Sequence, residues 1–477
     1  MKTTFFKKYI GDKAFYKGVL AVAVPMMVQN GITNFVNMLD NIMVGRLGTE
    51  AMSGVSIVNQ FMFIFNLLIF GAVSAAGIFT AQYFGSGNDT GIRHTFRFKL
   101  LICTVSALLG IVAFALLDDE LITLFLHESE GTGDLALTLA YGKEYLFVTL
   151  IGLVPYALTQ AYASTLRETS ETVMPMIASL VAVGTNFLLN LLLIFGLLGL
   201  PALGVTGAAI ATVTSRAVEL FVLVIFAHRR SERFTYLKGL YRSLKVPAAL
   251  VASIFKKGIP IMANELFWAI AMVLRNQAYS VRGLDAVAAQ NICSTLFNVF
   301  NVVYISLGSS IAIIVGKQLG AGEFDNARDT ARKMLAFSVL ASGLMAVLLS
   351  VSGLFFPYIY DTSAEVRTLA TYMMAISALS MPFAAYANAA YFTMRSGGQV
   401  FVTILFDSVY MWVVVVPLCM SLAYLTPLGI YPMFAICQLT EGIKSLFGML
   451  LLRRGTWVKR LVSDENEATP SEEKIPQ

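Results

Sequence analysis

Charge is scarce in this chain. Of its 477 residues 13% are Asp, Glu, Lys or Arg, while 57% are hydrophobic. A soluble domain averages about 25% charged residues, so water is excluded as the solvent for most of this surface. Histidine is scarcer still. His94, His127 and His228 all lie in or beside loops, and no GxSxG, HExxH or Walker pattern accompanies them. An enzyme would have few groups to work with. The four cysteines (Cys103, Cys293, Cys419, Cys437) stand in apolar stretches without CxxC spacing. They read as reduced packing residues and not as a metal site or a disulfide framework. No cleavable leader is expected, because the first sixteen residues are mixed polar and basic and the apolar stretch after them is too long. The short alternating segments of a β-barrel are missing as well.

What the chain does have is long apolar runs. A helix needs about 20 such residues to cross hydrocarbon, and twelve stretches qualify: 17–39, 51–83, 96–117, 135–162, 173–196, 204–227, 257–280, 285–316, 331–356, 366–392, 400–422 and 427–452. Backbone groups in lipid must pair within their own segment, so these are read as helices. The expected fold is an all-α polytopic membrane protein with twelve transmembrane helices.

Lysine and arginine alternate from loop to loop. One set of loops carries Lys2, Lys7, Lys8, Lys13 and Lys17, then Arg93, Arg97 and Lys99, then Arg167, the basic 228–256 connector, Arg328, Arg332, Lys333, Arg395, Arg453, Arg454, Lys459 and Arg460. The opposite set is acidic or neutral, with Asp118, Asp119, Glu120, Glu128, Glu130 and Asp134 after the third span and Asp361 and Glu365 after the ninth. The positive-inside rule then puts both termini in the cytoplasm of a multi-pass cell-membrane protein. The expected divisions are a cytoplasmic segment 1–16, a first lobe 17–227, a cytoplasmic linker 228–256, a second lobe 257–452 and a polar tail 453–477.

The halves repeat. At an offset of 235 residues Pro25 falls on Pro260, Ala51–Ile57 on Ala286–Ile292, Gly85-Ser86-Gly87 on Gly320-Ala321-Gly322 and Arg93 on Arg328. Later the offset is 225, and Gly204 meets Gly429. A duplicated apolar chain is the mark of transporters built from two pseudo-symmetric six-helix lobes around a central site. Pro25 and Pro260 each remove a helix hydrogen bond inside a span, giving a kink or a hinge at matching positions.

Ionisable groups inside spans are functional candidates by default. Here they are Asp40, Arg216, Glu219, Glu265, Arg275, Asp407, Glu441 and Lys444. Arg216 and Glu219 are spaced i, i+3, as are Glu441 and Lys444 with the signs exchanged, so each couple can pair on one helix face. A structural pair is the first reading and a gate the second. Asp40 ends the first span with no cation within helical reach before it, and its counterpart in the other half is Arg275. It reads either as a solvated or capping residue or as a desolvated carboxylate held by Asn186 and Asn190, two amides one turn apart on the fifth span. A carboxylate so placed could take up a proton, and its oxygens with the amide oxygens would also suit Na⁺. Glu265, in Asn264-Glu265-Leu266-Phe267-Trp268, and Asp407, in Phe406-Asp407-Ser408-Val409-Tyr410-Met411-Trp412, read as two unpaired membrane carboxylates among aromatics. That setting suits an organic cation or a proton, and the aromatics suit packing equally well.

These residues resemble the multidrug and toxic compound extrusion (MATE) family. The likeness rests on the Pro25 to Asp40 spacing and on Asp40-Asn41-Ile42-Met43-Val44-Gly45-Arg46-Leu47-Gly48. It rests also on Gln82-Tyr83-Phe84-Gly85-Ser86-Gly87 with its partner Gly316-Lys317-Gln318-Leu319-Gly320-Ala321-Gly322. Pro155…Leu166-Arg167, Pro382…Met394-Arg395 and Gly207-Ala208-Ala209-Ile210-Ala211-Thr212 complete it, over residues 15–455. The resemblance implies two six-helix lobes around a cleft, alternating access, and export of compounds in exchange for H⁺ or Na⁺. It matches Asp40, Asn186 and Asn190, and more weakly Thr212, to the family's first-lobe cation site, where some members have an aspartate at the Asn190 position. The sodium-coupled branch's second-lobe site does not carry over. Trp268 stands where that branch has a carboxylate, and Pro382-Phe383-Ala384-Ala385 lacks its aspartate. The chain therefore resembles the proton-coupled branch more, with Glu265 and Asp407, beside Trp268 and Arg275, as second-lobe candidates for substrate or proton.

The leading expectation is an antiporter exporting small amphipathic, cationic compounds. The 21 methionines and 34 phenylalanines suit varied ligands. No cofactor beyond the coupling ion and no nucleic-acid partner is expected, and the chain reads as a monomer in lipid. A lipid-linked oligosaccharide flippase is the alternative, for which Arg275 is the main basic candidate. An intramembrane enzyme comes third.

Overall fold

The computed structural model describes residues 8–123, 134–199, 201–360 and 362–462. Lys2, Lys7, His127, Glu128, Glu130, Asp361 and the tail from Ser463 lie outside them. Among the described residues the chain is helical, without strands. The first half holds α1 (Lys13–Gly45), α2 (Thr49–Ser86), α3 (Asp89–Leu116), the short α4 (Asp118–Thr123), α5 (Leu135–Ile151), α6 (Leu153–Glu168), α7 (Val173–Phe195) and α8 (Gly204–Arg229). The second half holds α9 (Ala248–Ser280), α10 (Leu284–Gly320), α11 (Phe324–Gly353), α12 (Ala364–Ser396), α13 (Val400–Leu425) and α14 (Ile430–Arg453). Eleven of these are long and apolar enough to span a membrane, and α5 with α6, bent by 47°, makes a twelfth.

Helices run past the apolar stretches because caps, not hydropathy, end them. Asp12 caps α1 by accepting from the Phe15 amide at 2.7 Å, and Asn88 caps α3 by accepting from the Gly91 amide at 2.7 Å. Arg93, Arg97 and Lys99 therefore lie on α3 and not in a loop, and Lys256 and Lys257 lie on α9. The turns repeat with the sequence. Gly48 and Gly283, at the 235 offset, precede α2 and α10 with φ of 115° and 105°, a region closed to a residue with Cβ. Helices α1 and α9 continue through Pro25 and Pro260, each twelve residues past the helix start. In α13 the turns over Leu405–Val409 and Met411–Val415 widen to π geometry ahead of Pro417. That proline lacks the N–H and crowds the carbonyl four residues back.

Two cores follow the two halves. One gathers residues from Met43 to Leu240, the other from Ala271 to Cys437. Three smaller clusters cross between halves, the smallest being Val22 and Met26 of α1 with Ile313 of α10. Val19 and Ala23 of α1 pack with Leu307, Ile311, Met334 and Met394 of the second half, while Ile254 and Ile261 of α9 pack with Ala75, Ala76 and Phe79 of the first. The first helix of each half thus lends its opening turns to the other.

The lobes meet most closely where α2 crosses α10. A Cβ on Gly85 would overlap the Lys317 carbonyl, and a Cβ on Gly320 would overlap the Gln82 carbonyl. Gly85 and Gly320, like Gln82 and Lys317, are equivalents in the repeat, so the contact is reciprocal. The chain after α14 closes over it. The buried Gln82 donates through Nε2 to the Ser396 carbonyl at 3.0 Å and the Lys459 carbonyl at 3.3 Å, and accepts from the Leu461 amide at 2.7 Å. The connector before α9 is equally attached. Arg97 donates to the carbonyls of Leu240 (2.8 Å) and Gly239 (2.7 Å), Arg93 to that of Tyr236 (3.1 Å), and Tyr236, Leu237 and Leu240 are buried in the first core.

Substituting Gln82→Ala strips a buried amide from three backbone partners. Unmade buried hydrogen bonds cost about 1–3 kcal/mol each. The variant is expected to melt several degrees below wild type in detergent. Gln318→Ala loses a single half-buried bond, to Thr330 Oγ1 at 3.0 Å, and should stay closer to wild type. Thermal unfolding followed by light scattering or intrinsic fluorescence reads both.

Candidate functional site

A cavity of about 390 Å³ opens inside the first lobe. Its wall on α1 is a stripe of Thr33, Val36 and Asp40, a spacing that keeps one face of a helix. Opposite stand Asn186 and Asn190 of α7 and Thr212 of α8. Both asparagines are buried. Asn190 Nδ2 donates to Asp40 Oδ1 at 2.6 Å and to Asn186 Oδ1 at 3.1 Å, and Asn186 Nδ2 reaches Thr212 Oγ1 at 3.4 Å. With the Asn186 amide turned over, its nitrogen instead donates to both Asp40 oxygens, at 2.9 and 3.2 Å. Asn190 Oδ1 has no hydrogen-bond partner.

That oxygen is the informative atom. An ionised carboxylate can only accept, so Asn190 turns its nitrogen toward it and its own oxygen is left over. A proton on Asp40 would add a donor beside the unpartnered Asn190 oxygen. A small monovalent cation would use the same carboxylate and amide oxygens with Thr212 Oγ1, so the donor set fits Na⁺ as well. Among the described residues no group of three or more His, Cys, Asp or Glu could hold a metal ion.

Deeper in the same cavity lies Glu219. Ser179 donates to its Oε1 at 2.5 Å and Arg216 NH1 to its Oε2 at 3.2 Å. The Arg216 guanidinium sits 5.2 Å from the centre of the Tyr156 ring. Gln29 Nε2 donates to Ser179 Oγ at 2.7 Å, so α1 is tied to the cavity floor as well as to its rim. Gln29, Ser179 and Tyr145, which also lines this cavity, escaped the sequence reading. Gln29 had a usable signal: it precedes Asp40 by eleven residues, three helical turns, and shares its face.

The second lobe differs from expectation. Asp407 is not unpaired. Lys444 Nζ lies 2.6 Å from its Oδ1 and Asn264 Nδ2 donates to its Oδ2 at 3.0 Å. Lys444 has therefore turned to another helix, and no Glu441–Lys444 ion pair forms among the described residues. Glu265 is not unpaired either. Tyr391 donates to its Oε1 at 3.2 Å, and Arg395 NH1, buried on α12, lies 3.8 Å away. Sequence spacing misled in both cases because the partners come from other helices. Lys99, expected in a basic loop, is fully buried and paired with Glu168. Arg275 makes no ion pair among the described residues, and its buried Nε is without a partner. Trp268 is exposed on α9. The structure thus brings Asp40, Asn186, Asn190 and Thr212 together, separates Glu265 and Asp407 onto different cations, and leaves Trp268 apart.

The family comparison decides the lineage. The MatE family model matches residues 25–192 and again 260–421, one copy per half, starting on the two equivalent prolines. The chain belongs to the MatE family. It is 24% identical over 412 residues to probable multidrug resistance protein YoeA of Bacillus subtilis (strain 168), covering 85% of this chain and 87% of that one. It is 23% identical over 467 residues to probable multidrug resistance protein NorM of Thermotoga maritima, covering 97% and 98%. The crystal structure of the Vibrio cholerae MATE transporter VcmN in the bent form superposes with a TM-score of 0.82 at 17% identity, over 93% of this chain and 97% of that one. The MatE fold and multi-pass membrane character follow.

Breaking the Asp407–Lys444 pair from one side should cost far more than removing it whole. Lys444→Met or Asp407→Asn alone leaves a buried charge or dipole, and the loss is expected at about 3–5 kcal/mol for Lys444→Met, while the double substitution recovers most of it. A double-mutant cycle on melting in detergent measures the coupling.

Proposed function

We propose that this chain is a secondary antiporter that exports small amphipathic, cationic organic compounds across the cell membrane in exchange for H⁺ or Na⁺. The observation that carries the reading is the enclosed carboxylate of Asp40, faced by two asparagine amides with one amide oxygen to spare. Asp40 stands on α1, Asn186 and Asn190 on α7. Loading a cation at this point changes the bonds between those two helices. Charge-assisted hydrogen bonds contribute about 1.5–3 kcal/mol each, and inverting a two-state equilibrium from 1:99 to 99:1 takes about 5.5 kcal/mol. Two or three such bonds suffice to shift α1 between states. Pro25 supplies the bend and alternating access the cycle, and the basic loops support cytoplasmic termini. The chain acts as a monomer, and Glu265 and Asp407 serve the second lobe's structure and the substrate side of the cleft.

The multidrug resistance names of the relatives support the substrate class. A flippase for pyrophosphate-linked oligosaccharide would need free cations around its cavity. Arg216, Arg395 and Lys444 are each engaged by a carboxylate, and Arg275 alone of the membrane cations weighed for that role has no ion pair among the described residues. One free guanidinium is too little for a pyrophosphate, which favours the export of cations instead.

Proteoliposomes loaded with a fluorescent organic cation test this. Efflux should respond to an imposed proton gradient or an imposed sodium gradient, and the responsive one names the ion. Asp40→Asn should lower coupled efflux by about 100-fold, equivalent to about 2.7 kcal/mol, and Glu265→Gln should keep the coupling. Coupled efflux undiminished in a folded Asp40→Asn protein defeats the proposal.

A further inference from the structure

Away from the lobe interior, a second cavity of about 470 Å³ lies on the outer surface of the second lobe. It runs along α11 past Arg332, Leu335, Val339 and Leu340, and Tyr9 and Tyr386 also line it. Arg332 is half-buried, yet it has no hydrogen-bond or ion-pair partner among the described residues. Its neighbour Lys333 is engaged by Asp329 at 2.5 Å, and Asp12 is engaged in capping α1. A guanidinium without a protein partner at the edge of an apolar trench is free to meet an anion, and its planar fork matches a phosphate. We propose that this trench is a binding site for an anionic phospholipid, its phosphate held by Arg332 and its acyl chain laid against Leu335, Val339 and Leu340.

The dimensions agree. From Met334 to the end of α11 at Gly353 is about 30 Å at 1.5 Å per residue, one hydrocarbon thickness. Arg332 therefore sits at the boundary of the apolar layer, and the three aliphatic side chains begin just inside it. Tyrosine and arginine are the residues that hold this depth. The site lies on the side of the basic loops, where anionic lipid is drawn to clustered lysine and arginine. Its wall also has a bearing on the transport site. Tyr9 precedes α1, and the ring of Tyr16 on α1 packs against that of Phe337 of α11, 5.0 Å between centres. A lipid in the trench thus fastens the start of the Asp40 helix to the opposite lobe.

The test uses full-length protein extracted in mild detergent and read by native mass spectrometry. Wild type incubated with equal amounts of phosphatidylglycerol and phosphatidylcholine should retain phosphatidylglycerol preferentially. Arg332→Gln should lower that retention about tenfold, or about 1.4 kcal/mol, and Arg332→Lys should fall between. Val339→Trp, which fills the trench, should lower it as well while leaving Arg332 in place. Melting temperature without added lipid should stay near wild type in each, which separates lost binding from lost fold. Efflux from vesicles of phosphatidylethanolamine with phosphatidylglycerol should exceed that from vesicles of phosphatidylethanolamine with phosphatidylcholine, and only while Arg332 is present. Equal retention of both lipids, an Arg332→Gln protein that retains as wild type does, or displacement of the lipid by inorganic phosphate alone would overturn the site. So would retention that rises on deletion of residues 1–7, since the chain's own start would then be the occupant. The lipid readouts are independent of which ion, if any, Asp40 carries.

Discussion

The constraint that joins the two lobes is the crossing of α2 and α10. Two glycines let two backbones approach until each main chain fills the place where the other's Cβ would stand. The crossing lies at the ends of both helices, just past their apolar stretches, where small residues let the backbones pack closely. The duplication makes the crossing reciprocal: Gly85 lies on Lys317, Gly320 on Gln82. Other links between the lobes build on it. The Gln82 amide uses it to anchor the chain after α14, and the opening turns of α1 and α9 each cross to the opposite lobe.

Polarity inside the bundle follows a second rule. A charge withdrawn from water persists when a partner meets it. Lys99 meets Glu168, Arg216 meets Glu219, Arg395 meets Glu265 and Lys444 meets Asp407. Asp40 is held differently, by neutral amides. Arg216, the cation whose field reaches it, is already engaged by Glu219. That difference in partner chemistry sets Asp40 apart from Glu219, Glu265 and Asp407, each of which has a cation of its own protein beside it.

The number of spans, their order and the duplication were legible because apolar length and Pro–Gly punctuation are local properties. The gathering of Asp40 with Asn186 and Asn190 was legible because two amides one turn apart mark a face. The partners of Asp407 and Glu265 were not, since Lys444 and Arg395 reach them across helices and spacing along one helix carries no such information. The i, i+3 couples look alike in sequence, yet Arg216 stays with Glu219 while Lys444 leaves Glu441. Asn264, one residue before Glu265, belongs to the Asp407 group instead. The reading of lysine and arginine as loop markers also counted Lys99 and Arg395 with the loops. Long side chains near helix ends read as interfacial until their neighbours are known.

Because α1 is divided between lobes, its adjacent residues serve different masters: Gln29 bonds Ser179 in the first half, Asn30 bonds Ser306 in the second. During synthesis the Val19 turn of α1 is made about 290 residues before its neighbour Leu307. At about 5–20 residues per second this is a wait of roughly 15–60 s. For that interval the newborn first half sits in the bilayer with one side of its leading helix resting on lipid. The ribosome, not the finished fold, then sets how long that face stays open to chaperones, proteases or a wrong neighbour.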